Sequence, residues 1–77
     1  MKTKKILLNT VEKVKEFNRR VIGFPDDMDI VSGRYRVSAK SLMGIFSLDL
    51  SKPVKLVFDE KYESIAELYF KSYEVTE

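Results

Sequence analysis

A chain of 77 residues has room for one domain, over 1–77, and for a core of one helical layer on one sheet. Its 44% hydrophobic and 34% charged residues exclude a disordered segment, and a net charge of +2 is too small to argue for nucleic acid or an acidic membrane. With no cysteine and no histidine there is no disulfide, no thiolate chemistry, no imidazole base or metal ligand and no phosphohistidine.

The chain starts MKTKKILLNT, with lysines followed by only three apolar residues. A signal peptide needs roughly 7–15 of them and a membrane span roughly 18, so a cytoplasmic location is expected. "TKKILL" (3–8) reads as a strand. Val11, Val14, Phe17 and Val21 then recur at helical spacing, which predicts an amphipathic helix over about 10–22. Asn9 is its expected cap, with Glu12 three residues on as in a capping box, and Gly23 and Pro25 end it. "MDIVSGRYRVSA" alternates as a hairpin turning at Ser32-Gly33. Ser41 is placed to cap a helix of about seven residues. "PVKLVF" (53–58) reads as a strand with Val54, Leu56 and Phe58 on one face and Lys55 on the other. Asp59-Glu60 opens a last helix at about 61–72, with Tyr62, Ile65, Ala66, Leu68 and Tyr69 as its apolar face, and the tail "YEVTE" is expected to fray. The order β-α-β-β-α-β-α implies an α+β open-faced sandwich. Its four-stranded, mostly antiparallel sheet carries helices on one face.

The short second helix lies in "AKSLMGIFSL" (39–48). With this element order, Ala39, Lys40, Ser41, Met43, Gly44, Ser47 and Leu48 resemble the pattern of the histidine-containing phosphocarrier protein (HPr) family of the bacterial sugar phosphotransferase system. That family carries its phosphoryl group on a histidine at the start of helix one, in a Gly-x-His-Ala-Arg-Pro type segment. The matching stretch here, "LLNTVEKVKEF", has no Gly, His, Arg or Pro. Thr10 stands roughly at the histidine's place, a degenerate active-site position, and Glu12 near that of the arginine. Glu12 already supplies negative charge to the helix start, where an anion would otherwise be favoured. The resemblance therefore implies a non-catalytic regulatory or protein-binding module, not an enzyme, with no catalytic residue. In Gram-positive members a dedicated HPr kinase phosphorylates the serine matching Ser41, and the product binds a transcriptional regulator in carbon catabolite repression. The resemblance implies protein partners of those two kinds, with Ser41 the regulatory phosphorylation site and Lys40, Met43 and Phe46 the partner-binding residues. The alternatives are an interaction domain that keeps this fold outside the pathway, and a phosphocarrier using Thr10. A phosphothreonine ester is too stable to suit the second.

Simpler readings compete at each position. Ser41 is a preferred cap residue, and a cap hydroxyl stays exposed, so cap and phosphosite are compatible. Apolar residues at helical spacing are usually core, but so short a helix cannot bury Leu42, Met43, Ile45, Phe46 and Leu48 on one side. Leu42, Ile45 and Leu48 are expected inside, and Met43 and Phe46 in a partly exposed patch beside Ser41. Lys13, Lys15, Arg19 and Arg20 read as a solvated helix face interrupted by Glu12 and Glu16, and "GRYRV" has arginines where an RNA-recognition strand needs aromatics. No nucleic-acid partner is expected. Asp26, Asp27 and Asp29 lack EF-hand spacing, so no metal or other cofactor is expected.

Overall fold

Alternate residues of a strand point to opposite sides, and pairing aligns them into rows across a sheet. One row runs Lys4, Leu56, Ile30, Val37, with Ile6 opposite Val54 and Lys2 opposite Phe58 on the same side. The computed structural model describes residues 1–75, and these rows form the helix-facing side of its sheet. The strands are β1 (Lys2–Ile6), β2 (Asp29–Ser32), β3 (Tyr35–Ser38) and β4 (Val54–Phe58), ordered β1-β4-β2-β3 with every pair antiparallel. Helices α1 (Val11–Ile22), α2 (Leu42–Phe46) and α3 (Glu63–Phe70) complete the α+β open-faced sandwich. Val14, Phe17 and Val21 from α1, Ile45 from α2, and Ala66 and Phe70 from α3 meet Ile6, Ile30, Val54, Leu56 and Phe58 in one core. The opposite side carries the row Lys5, Lys55, Val31, Arg36.

Several boundaries differ from expectation. β1 ends at Ile6, because Leu7 leaves the ladder to donate its N–H to the Tyr73 carbonyl at 2.8 Å and Leu8 turns into the core. Thr10, not Asn9, caps α1: its backbone is extended and its hydroxyl accepts the Lys13 N–H at 3.1 Å. Asn9 instead accepts from the Lys13 ammonium, and Glu12 stands one position too early for a capping box. Val11 is consequently an exposed first-turn residue rather than part of the buried stripe. In the hairpin Ser32 still pairs with Tyr35, so the loop is Gly33-Arg34, and Gly33 takes the φ of +59° that a side chain would resist. α2 has five residues, two fewer than the seven expected.

The largest difference lies after β4. The Asp59 carboxylate accepts the Lys61 N–H at 3.0 Å and starts a 3₁₀ turn over Glu60–Tyr62. A 3₁₀ turn winds more tightly than an α-helix, which shifts the phase of the helix after it. α3 therefore buries Ala66 and Phe70 and turns Ile65, Leu68 and Tyr69 outward, with Tyr62 half-buried against the core. The tail is not frayed through residue 75. Tyr73 is buried in a second 3₁₀ turn, Glu74 bridges to Ile6, and the Val75 N–H donates to the Lys5 carbonyl at 3.0 Å. β1 is an edge strand, and the tail uses its outer hydrogen-bonding groups. The rest of the expected frayed tail, 76–77, lies outside the described residues.

Two polar contacts tie this tail down. Lys4, its side chain only 10% exposed, donates to Glu67 at 2.7 Å and also to Glu74. Burial pulls the Lys4 pKa down, but the bonds to both carboxylates outweigh it and hold the pKa above its ordinary value. The Tyr73 hydroxyl donates to Glu16 of α1. Burial first, and that bond second, push the Tyr73 pKa up to about 12. The folded state thus holds this proton more tightly than the unfolded chain, whose phenol ionises near the ordinary value of about 10. The contribution is present below pH 10 and is lost as pH rises from 10 toward 12. The raised Lys4 pKa acts in the same direction at its own alkaline limit. We expect the denaturation midpoint to fall steeply over this window and less steeply in Tyr73→Phe, with one of the four tyrosines ionising last in an ultraviolet phenolate titration. A flat midpoint would contradict the Tyr73–Glu16 bond.

Candidate functional site

The site is built around α2, which exists because of its cap. Ser41 is extended at φ −94° and ψ 104°, and its hydroxyl oxygen accepts the Gly44 N–H at 3.1 Å. A Cβ on residue 44 would stand 3.1 Å from that oxygen and 3.2 Å from Cβ of Val37, so glycine leaves room for the cap and for the close approach of β3. Ser41 also donates its own N–H to the Ser38 carbonyl, and Ser47 closes the far end by donating its hydroxyl to the Gly44 carbonyl at 2.6 Å. So short a helix depends on such end contacts and on tertiary packing.

Packing divides the apolar residues in the expected way. Ile45 is fully buried, Leu48 is nearly so, and Leu42 is half-buried against the core. Met43 is 84% exposed and Phe46 41%. Met43 cannot be accounted for as core and Phe46 only in part, and both stand on the helix that Ser41 caps. Ser41 is itself exposed. Among the described residues the hydrogen bond to its oxygen comes from Gly44, and no base contacts it. It is an accessible hydroxyl and not an activated nucleophile.

Neighbouring elements extend this face. The Asn18 side-chain amide, buried in α1, donates to the Ala39 carbonyl at 3.1 Å and fixes the approach to Ser41. A groove of about 260 Å³ runs between α1 and α2, lined by Lys15, Asn18, Arg19, Ile22 and Leu42. Ile22 is exposed beside it. In the sequence these α1 residues read only as a helix end and a solvated face. Their part in a shared groove depends on which helix packs alongside, which no local pattern reports. Lys40 is more restrained than a free docking residue: its ammonium donates to the Phe24 carbonyl at 2.9 Å and lies 3.9 Å from the Asp27 carboxylate. Its charge is thus held against the segment after α1, which limits its reach.

The remaining candidates separate. Thr10 is exposed at the start of α1, where its hydroxyl is used as the cap, and no hydrogen bond among the described residues links it to Ser41. The loop acids face different cations, with Asp26 at 3.0 Å from both the Lys61 ammonium and the Tyr62 hydroxyl, and Asp29 at 2.7 Å from Arg36. The bonds from Lys61 and then Tyr62 hold the Asp26 carboxyl below its ordinary pKa. Among the described residues no three acids converge on a metal position, and no helix is long and apolar enough to cross a membrane.

Comparison with solved structures places this architecture. The chain is similar to the crystal structure of HPr-C-His from Thermoanaerobacter tengcongensis, with a TM-score of 0.73 and 28% sequence identity, over 94% of this chain and 93% of that one. The fold is therefore HPr-like. No protein-family model matches the chain, and no curated protein matches it in sequence.

Proposed function

We propose that this chain is a single-domain, cytoplasmic regulatory module of the HPr type that binds proteins through α2 and receives a phosphoryl group on Ser41, not on a histidine. The observation that carries this reading is the pairing of Met43 and Phe46, both exposed, with an accessible and unactivated Ser41 hydroxyl on one short helix of an HPr-like fold. An unreactive serine suits a substrate of an HPr kinase: ATP supplies the phosphoryl group, Ser41 Oγ forms the new P–O bond, ADP leaves and the kinase's base takes the proton. The phosphoserine would bring about −1.5 to −2 charge to a face whose groove already holds Lys15 and Arg19. That charge would change which proteins the face accepts, attracting an arginine or repelling a carboxylate on a transcriptional regulator. With no histidine in the chain and Thr10 used as a cap, the module holds no labile phosphoryl carrier and is not itself an enzyme.

The test is incubation of the protein with an HPr kinase and ATP, read by intact mass beside an ordinary HPr. We expect one phosphate on the protein and none on Ser41→Ala or Ser41→Asn. The second variant matters because Ser41→Ala also removes the α2 cap at a cost of about 1 kcal/mol, whereas asparagine keeps it. No phosphate on the native chain, with the ordinary HPr modified alongside, would favour an interaction domain that keeps this fold outside the pathway.

A further inference from the structure

On the other flank of α1 from the α2 groove, a second surface takes no part in Ser41 modification or in docking at α2. α3 reads Glu-Ser-Ile-Ala-Glu-Leu-Tyr-Phe, with apolar residues on both sides, yet the fold covers only the side of Ala66 and Phe70. Leu68 is 79% exposed, and Ile65 and Tyr69 are each more than two-fifths exposed. Spaced three and four apart, Ile65, Leu68 and Tyr69 form a continuous outer stripe. Beside them lies a cleft of about 220 Å³ between α1 and α3, lined by Arg20, Gly23, Phe24, Pro25, Tyr62, Ile65 and Tyr69. The Phe24 ring meets those of Tyr62 and Tyr69 edge to face, at 5.6 and 5.5 Å with interplanar angles of 69° and 89°. One face therefore presents an apolar knob, Leu68, next to an aromatic hole.

We infer that α3 is a self-association surface, on which two copies of this chain pair antiparallel about a two-fold axis, each Leu68 entering the other's aromatic cleft. A knob and a hole side by side on one face are self-complementary under a two-fold operation, the requirement of an isologous interface. The charges select the direction. The start of α3 is acidic: Lys61 is matched by Asp26 at 3.0 Å and Glu63 by Lys2 at 3.6 Å, which leaves Asp59 and Glu60. The other end carries Lys71, and Arg20 of α1 reaches it by donating to the Tyr69 carbonyl at 2.7 Å, with part of its charge offset by Glu16 at 3.9 Å. Antiparallel pairing sets acid against base at both ends, whereas parallel pairing sets like against like. Three outer side chains and one cleft fall below the roughly 1,200–2,000 Å² of a stable interface, so the dimer is weak and exchanges readily.

Sedimentation equilibrium of the full chain from about 10 μM to about 1 mM tests this. The expected result is a monomer–dimer equilibrium that Leu68→Glu weakens at least about tenfold, with an unchanged thermal midpoint because the side chain is exposed. Glu60→Lys and Lys71→Glu should each weaken the dimer, and the double variant should restore it. Three outcomes overturn the inference: a monomer at the highest concentration, a dimer indifferent to Leu68→Glu, or growth beyond two copies.

Discussion

Phe70→Ala will lower the unfolding free energy by about 3–5 kcal/mol, the usual cost of deleting a fully buried phenylalanine. Phe70 is wholly buried, 5.2 Å from the Phe17 ring and 5.8 Å from that of Phe24. It is thus the point where α3, α1 and the segment after α1 meet. A domain of this length has about 4–12 kcal/mol of stability in all, so the loss is about a quarter of it or more. Urea unfolding should show a much lower midpoint, with binding of a hydrophobic dye if the core loosens. Leu68→Ala, two residues away on the outer side of the same helix, should change stability by no more than about 0.5 kcal/mol. A larger cost at Leu68 than at Phe70 would mean that α3 packs in the opposite phase.

That pair marks the boundary of what is legible in the chain. Strand alternation in 28–39 and 53–58 and the stripe Val14, Phe17, Val21 are legible because each has a polar side that orients the apolar one. In α3 the polar residues Glu63, Ser64 and Glu67 have apolar residues on both flanks, so they do not decide which flank turns inward; the phase is set by the Asp59-capped 3₁₀ turn, which no periodicity reveals. The α1 cap is ambiguous for a different reason: Asn9 and Thr10 are adjacent residues of comparable capping strength, and only the extended Thr10 backbone decides. Around α2 more is legible. Its shortness forces some of its apolar residues outward, and Met43 and Phe46 are the ones turned out. The restraint on Lys40 is not legible, because its tether, the Phe24 carbonyl, lies far off in sequence, in the segment after α1. The α1 side of the groove, with Ile22 and Arg19, is hidden in the same way.

The α2 face can be tested without knowing a physiological partner, because the kinase that would modify Ser41 must itself dock there. Met43→Glu should lower kcat/KM for Ser41 phosphorylation by an HPr kinase by about 30-fold or more, and Phe46→Ala by about tenfold. Central interface anchors cost about 2 kcal/mol or more when lost, which is the first figure, and a partly exposed aromatic contributes less. Stability should not explain the loss at Met43, since a side chain 84% exposed contributes little to folding. Phe46 is more than half covered and contributes to folding as well, so its thermal midpoint must be measured beside the rate. Lys15→Glu and Arg19→Glu, on the groove's α1 wall, separate contact from steering: they should slow phosphorylation most at low salt and little at high salt. Phosphorylation of Met43→Glu at the native rate would remove the docking role from α2, leaving Ser41 as an exposed cap that an enzyme reaches from another side.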